Sequence, residues 1–435
     1  MESREQYLEE TSLTVPLIVD EKQHKLIRHN IIDEEGDDQP YQKGSTGFIR
    51  TCFNGLNALS GVGILSTPYA LASGGWLSLI LLFIIAISAF YSGILIKRCM
   101  EADSNIRTYP DIGERAFGGK GRLLISIFMY VELYLVATGF LILEGDNLQN
   151  LFPNVDIEVI SGLHIGGKRS FVVLIALMIL PTVWLDNLSF LSYISASGVL
   201  ASAIILVSIF CTGAFDGVGF LQKGEVVNWH GIPTAVSLYG FCYCAHPVFP
   251  MLYSSMKKKH QFSHVLVICF IICTFSYALM AIIGYKMFGS DVESQVTLNL
   301  PTGKLSSRIA IYTTLVNPIA KYALMVTPIV NATKNWFPWS CNKKPFNLLM
   351  STSLLISTVI VALAVPFFGY LMSLVGAFLS ITASIILPCL CYLKISGNLR
   401  RFGCEVVVIW GMILLGVMVV IFGTYTSLLQ IVGHL

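Results

Sequence analysis

Hydrophobic positions fall in long blocks separated by short stretches that carry nearly all of the charge. A block of about 20 apolar residues matches the ~30 Å hydrocarbon core of a bilayer, and the pattern predicts about eleven such spans. They run from about Gly47 to Leu71, Trp76 to Lys97, Leu123 to Leu148, Phe171 to Trp184, Leu191 to Gly213 and Gly231 to Met256. The remainder run from Val265 to Met287, Ile309 to Val330, Leu348 to Phe367, Tyr370 to Leu393 and Val406 to Ile431. Residues 1–46 are polar and mixed in charge, which predicts a disordered tail without a cleavable signal. The stretch Asp111 to Gly121 is amphipathic and reads as a short interfacial helix stopped by glycine.

Two spans are interrupted at mid-length. The first breaks at Gly61-Val62-Gly63, with Pro68 beyond it. Each glycine weakens a helix by roughly 1 kcal/mol, and the proline removes a further backbone donor. The sixth breaks within Gly240-Phe241-Cys242-Tyr243-Cys244-Ala245-His246-Pro247, with Pro250 a turn later. In hydrocarbon, freed peptide groups are tolerated only where protein or a polar cavity satisfies them, so both breaks are candidate ligand cradles; a packing kink between small residues is the plainer reading. Broken spans placed five apart, with one helix left over after the tenth, suggest two inverted repeats of five around a midplane site. The predicted organisation is a tail over 1–46, a ten-helix core over 47–404, and an eleventh helix with the C-terminus over 405–435.

Composition narrows the class. With 54% hydrophobic and 12% charged residues and a mean hydropathy of +0.71, this is a polytopic membrane protein. A net charge of +2 gives no footing for nucleic acid. The eleven cysteines form neither a disulfide framework nor a metal site, and the two Cys-x-Cys pairs read as packing, so no cofactor is expected. No nucleophile, base and metal constellation points to an enzyme, and no pore loop points to a channel. Most of the 28 Lys and Arg fall on one side if the amino terminus is cytosolic, leaving Lys168, Arg169, Lys223, Lys286, Lys304 and Arg308 opposite. That bias predicts a cytosolic amino terminus and a non-cytosolic carboxyl terminus. The sequons at Asn187 and Asn331 then face the cytosol and are expected to stay unglycosylated.

The run Gly61-Val62-Gly63-Ile64-Leu65-Ser66-Thr67-Pro68-Tyr69-Ala70 through Gly74-Gly75-Trp76, with Tyr109-Pro110-Asp111-Ile112-Gly113, resembles the amino acid/auxin permease family, most of all its plant vacuolar amino-acid transporter branch. Leu180-Pro181-Thr182-Val183-Trp184, Asn317-Pro318, Lys321-Tyr322-Ala323-Leu324 and Thr327-Pro328 extend the likeness over about residues 44 to 430. The resemblance implies an all-α fold of the amino acid-polyamine-organocation superfamily type, five plus five helices with an eleventh. It also implies proton-driven movement of neutral amino acids across the vacuolar membrane. Where a basic residue is expected after Trp184 this chain has Leu185-Asp186-Asn187, which puts a cytosolic gate charge pair there in doubt.

The residues suit such a ligand. Amides of Gly61, Val62, Gly63 and Ile64 offer donors and a positive helix end to a carboxylate. Unwound carbonyls around Phe241, Cys242 and Tyr243 offer acceptors to an ammonium, with Phe241 and Tyr243 shaping the side-chain pocket or simply packing. Glu132 lies about ten residues into the third span, near mid-bilayer, where a charged carboxyl costs about 2.5 kcal/mol or more; it is therefore paired or protonated, as a proton carrier would be. Lys321, equally deep in the eighth span, is read as supplying the positive charge that sodium provides in related sodium-driven transporters, or as a static partner of Glu132. His246 titrates near the pH of an acidic lumen and is either a coupling group or a structural histidine. Asn54 and Asn57, at i and i+3, read as interhelical glue or as lining the path, and Asn317-Pro318 as a hinge. The partners expected are a small amino acid, a proton and the lipid bilayer. An auxin or organic-anion carrier and a membrane amino-acid sensor remain as alternatives.

Overall fold

The computed structural model describes residues 46–153, 157–160, 163–165, 167–184, 188–334, 343–397 and 403–434. The tail up to residue 45, the Leu185-Asp186-Asn187 loop with the Asn187 sequon, and Arg400 and Arg401 lie outside the described residues. The first span is α1 (Phe48–Leu59), a 3₁₀ turn (Val62–Ser66) and α2 (Thr67–Gly74). α3 (Ser78–Ala102) is the second span, and the short α4 (Tyr109–Phe117) precedes α5 (Gly119–Leu151), the third. α6 (Gly167–Trp184) and α7 (Leu188–Phe215) follow, then a sixth span made of α8 (Ile232–Cys242), a 3₁₀ turn (His246–Val248) and α9 (Phe249–Ser255). α10 (Phe262–Phe288), α11 (Leu305–Lys334) and α12 (Lys343–Ala364) are the seventh to ninth spans. The tenth joins α13 (Phe368–Leu374) through π-helical turns at Val375–Ser380 and Thr382–Ile386 to α14 (Leu387–Ile395), and α15 (Cys404–His434) is the eleventh.

Among the described residues, ten helical stretches are long and apolar enough to cross a membrane. The interrupted first span, whose pieces are individually too short, makes the eleventh. α4 starts earlier than the amphipathic pattern predicts because Thr108 and Asp111 close a capping box, and Gly118, at φ 69°, ends it. Two features were not predicted. A hairpin pairs β1 (Ile157–Ile160) antiparallel to β2 (Leu163–Ile165), and its short polar-apolar alternation is lost between two long apolar blocks. The π-helical turns leave no sequence signature beyond a small-residue run.

The two broken spans lie side by side in opposite directions. At one face Thr46, just before α1, bonds to the backbone of Ser255 and Lys257 at the end of the sixth span (2.9 and 3.0 Å). At the other, the chain after α2 bonds through Trp76 and Leu77 to Glu225 and Val226, which lead into α8 (3.0 and 2.9 Å). One end of each is thus tied to the opposite end of the other, as an inverted repeat requires. α8 packs on α2, on the tenth span and on α15, while α11 packs on α7 and α5. Outward faces such as Ile80, Phe83, Ile84 and Ile87 on α3, or Leu414, Ile421 and Phe422 on α15, are exposed and wholly apolar, as a lipid-facing belt must be.

The sixth and tenth spans touch backbone to backbone. A Cβ at Gly376 would stand 2.0 Å from Ser237 O. Neither partner is a flexible side chain, so Gly376→Ala is expected to cost several kcal/mol through forced backbone separation. A melting temperature of the purified variant within a degree of the parent's would refute this.

Candidate functional site

The first break is sharp. α1 ends at Leu59; Ser60 takes φ −74° and ψ 80°, and the Gly61 N–H turns back to Leu59 O at 2.8 Å. The last carbonyls of α1 therefore lose their helical donors in the middle of the protein. Other elements supply them. The Lys321 ammonium, on α11 and 5% exposed, donates to Ser60 O at 3.2 Å. The Tyr277 hydroxyl, on α10, donates to Leu59 O and lies 3.2 Å from Cys242 O, so one side chain caps the ends of both α1 and α8. A cation against a helix carboxyl end is the favourable sense of the helix dipole.

The second break follows Cys242. Tyr243 leaves the helix at φ −111° and ψ 23°, and the chain turns through Ala245 into His246–Val248. The Tyr243 ring is fully buried, stacked on Phe270 (centroids 5.8 Å apart) and edge-on to Tyr277 (5.6 Å), with its hydroxyl on Thr274 at 2.9 Å. It therefore faces α10. Phe241 and Cys242 face the first break instead: a Cβ at Gly63 would lie 3.0 Å from Cys242 Sγ and 3.4 Å from Phe241 Cδ1. Gly63 is thus brought directly against Phe241 and Cys242, closing the two breaks on one another at that point. What space exists lies on the other side, between Gly61, Val62, Ile64 and Leu65, Ser202 on α7, and Thr314 and Asn317 on α11. It measures about 10 Å³, room for a single water molecule at most. The site is closed in this conformation.

Lys321 stands one turn beyond Asn317. Asn57, one turn before the break, points its buried Oδ1 without a partner toward Gly198, where a Cβ would come within 2.1 Å of it and 3.4 Å of Lys321 Cε. Asn57, Gly198 and Lys321 therefore close one end of the site, and Ser60 and Ser202 share a hydroxyl hydrogen bond of 2.6 Å beside them. α11 runs through Pro318 without a break in this conformation: the proline removes one donor, and contacts with α5 and α7 lie along the helix. Glu132 and Lys321 form no ion pair, which removes the static-pair reading. Glu132 accepts from Ser380 Oγ at 2.5 Å, on a different element.

Glu132 and His246 converge on the π-helical turns of the tenth span. His246 Nε2 is 2.8 Å from both Ala89 O and Ser92 Oγ. A carbonyl only accepts, so Nε2 carries the proton, and Nδ1 is buried without a partner. Ser92 Oγ reaches Ser384 O, Ser384 Oγ reaches Tyr243 O at 3.3 Å, and the Tyr109 hydroxyl donates to Ala383 O at 2.6 Å. A π turn frees carbonyls from the helical ladder, and these side chains bind them. Ser380, Ser384 and Tyr277 were not legible as site residues. Each is a small or aromatic polar group inside an apolar block, where sequence gives depth but not direction. At the face where α2 ends, a wider cavity of about 280 Å³ is lined by Tyr69, Ser73, Gln222, Glu225, Asn228 and Tyr285 among others.

Residues 44–429 match the family described as transmembrane amino acid transporter protein. Amino acid transporter AVT1I of Arabidopsis thaliana is 61% identical over 92% of this chain and 99% of its own length. Amino acid transporter AVT1J of Arabidopsis thaliana is 63% identical over 93% and 96%. Among solved structures, the inward-facing conformation of Mhp1 superposes with a TM-score of 0.55 at 14% identity, covering 92% of this chain and 94% of that one. A substrate-bound, outward-open Na⁺-coupled sialic acid symporter does so at 0.53 and 12%, covering 93% and 94%. At such identities the likeness speaks for the fold alone.

Proposed function

The chain belongs to the transmembrane amino acid transporter family, and from that premise we propose that it is a proton-coupled secondary active transporter of neutral amino acids, seated in the vacuolar membrane. One observation carries the coupling: the carbonyl end of α1, where a cation is favoured, is occupied by the Lys321 ammonium of the chain itself. A fixed internal cation leaves the proton as the coupling ion. In this reading the substrate carboxylate binds the amides of Gly61 to Ile64, and its ammonium binds the carbonyls near Phe241 to Tyr243. Glu132 and His246 carry the proton through groups on the tenth span. The closed contact of Gly63 on Cys242 then opens to one face or the other as the two repeats rock. The skew of Lys and Arg supports a cytosolic amino terminus, and the vacuolar membrane rests on family resemblance.

Purified protein in proteoliposomes, scanned over the twenty amino acids with an imposed pH gradient, tests this directly. Neutral amino acids are expected to accumulate, with the same rate when sodium is replaced by choline. Accumulation that follows sodium, uptake of indole acids but not amino acids, or saturable binding without flux would each overturn it.

A further inference from the structure

A second buried carboxyl takes no part in the site above. Glu144 lies on α5, three turns or about 18 Å beyond Glu132, fully buried, and neither of its carboxyl oxygens has a hydrogen-bond partner. One turn on, along the same face, Asn147 donates through its amide to Leu143 O at 2.8 Å and Gln295 Oε1 at 2.7 Å, while its own Oδ1 is buried and unpartnered. Gln295 donates to Asp146 Oδ2 at 3.0 Å, and Asp146 pairs with Lys168, whose side chain reaches the surface. Gln295 leads into the 3₁₀ turn Val296–Asn299, where Thr297 Oγ1 is also buried without a partner. That turn packs on both α5 and the Val62–Ser66 turn of the first span.

A carboxylate enclosed in this way, with no donor on either oxygen, is not a stable anion, whereas the neutral acid needs only one acceptor for its hydroxyl. Acceptors are what this region leaves unused. The charged and titratable groups on the elements packed around it include Lys168 and Arg169 on α6, Glu293 before the 3₁₀ turn, Arg308, Tyr312, Lys321, Tyr322 and Lys334 on α11, Lys343 and Lys344 on α12, and Tyr370 on α13. None of them bonds to Glu144. Lys168 is held by Asp146 and Pro366 O, Arg308 by Thr302 O and Lys321 by Ser60 O. No fixed cation is therefore at hand to neutralise the group.

We propose that Glu144, with Asn147 and Thr297, is a proton-binding site in the half of the transporter facing Lys168, loaded from that side and read by the first span through the Val296–Asn299 turn. This rests on the proton-coupled reading above. When Glu144 binds a proton its O–H needs a single acceptor, a part that the unpartnered Asn147 Oδ1 or Thr297 Oγ1 can take. When it releases one, the bare anion must draw in donors or water, and the adjoining turn moves against Val62–Ser66.

The test uses full-length protein in proteoliposomes and, as probe, the radiolabelled amino acid giving the highest counterflow in the scan of the twenty. Two rates are compared: accumulation driven by an imposed pH gradient, and counterflow without one. In Glu144→Gln the ratio of the first to the second is expected to fall at least tenfold. An unchanged ratio, including one in which both rates drop together, overturns the proposal by showing a structural role. If the Gln variant does not fold, Glu144→Asp carries the test: the pH at half-maximal accumulation should shift by at least half a unit, and an unshifted midpoint overturns the proposal. Restoration of the wild-type ratio by sodium would also overturn it, since the occupant would then be a metal cation. Wild-type protein that ignores the pH gradient refutes the parent reading, whereas a responsive wild type with a responsive Glu144→Gln refutes only this inference.

Discussion

Replacing Lys321 by Ala is expected to lower gradient-driven amino acid uptake by at least fivefold in a protein that still reaches the membrane. The side chain is 5% exposed and its ammonium is the donor to Ser60 O, a carbonyl freed by the end of α1. Without it that carbonyl is buried and unpaired, at a cost of about 1–3 kcal/mol. The carboxyl end of α1 also keeps its partial negative charge without a counter-charge. A penalty of that size changes the population of the competent conformation by roughly 5- to 150-fold. The loss should come from charge and not from volume, since the bond to Ser60 O is made by the ammonium and not by the stem. Lys321→Met, which keeps most of the stem and removes the ammonium, should therefore fall as far as Lys321→Ala. Uptake of either variant that kept its full pH dependence would leave Lys321 without the role given to it.

The same pair of residues shows what a sequence exposes and what it hides. Glycines, prolines and lost apolar continuity are local, so the breaks at Gly61 and Cys242 were legible. Their spacing by five spans pointed to the inverted repeat, which the backbone ties at Thr46 and Trp76 bear out. Enclosure was legible too: Glu132 and Lys321 are both buried within the protein. Direction was not. A helix with apolar residues all round carries almost no periodic signal, so nothing in the third or eighth span told which way either charge pointed. The result was a suggested Glu132–Lys321 pair, where the structure has Glu132 on Ser380 and Lys321 on Ser60. Asn317-Pro318 shows the same limit, because proline weakens a helix locally while packing across helices decides whether it bends, and in this conformation α11 stays helical through it. The π-helical turns of the tenth span were invisible because Gly, Ala, Ser and Thr form both kinds of turn. Those turns nonetheless gather Glu132, Tyr109, Ser92 and Tyr243 around one element.

Tyr277→Phe is expected to raise the substrate concentration for half-maximal uptake severalfold and to lower the melting temperature of the purified protein. The hydroxyl it removes is shared between Leu59 O and Cys242 O, the last carbonyls before the two breaks. A hydroxyl has one hydrogen to donate; it goes to Leu59 O, and the longer contact with Cys242 O ties the second half-helix to the first. The Phe ring keeps the edge-on contact with Tyr243, so the change isolates the hydrogen bond from the packing. Deleting it leaves Leu59 O with the Gly61 N–H alone and takes the Tyr277 donor from buried Cys242 O, at a cost of about 1–3 kcal/mol. The affinity effect has a separate cause. Cys242 O is among the carbonyls proposed for the substrate ammonium, and an acceptor held in place beforehand binds more tightly than one that must first be ordered. A variant that merely loosened the fold would melt earlier with unchanged half-saturation. Loss of both together is the signature of one hydroxyl that sets the geometry of both breaks, and loss of neither would mean that the bridge carries no weight.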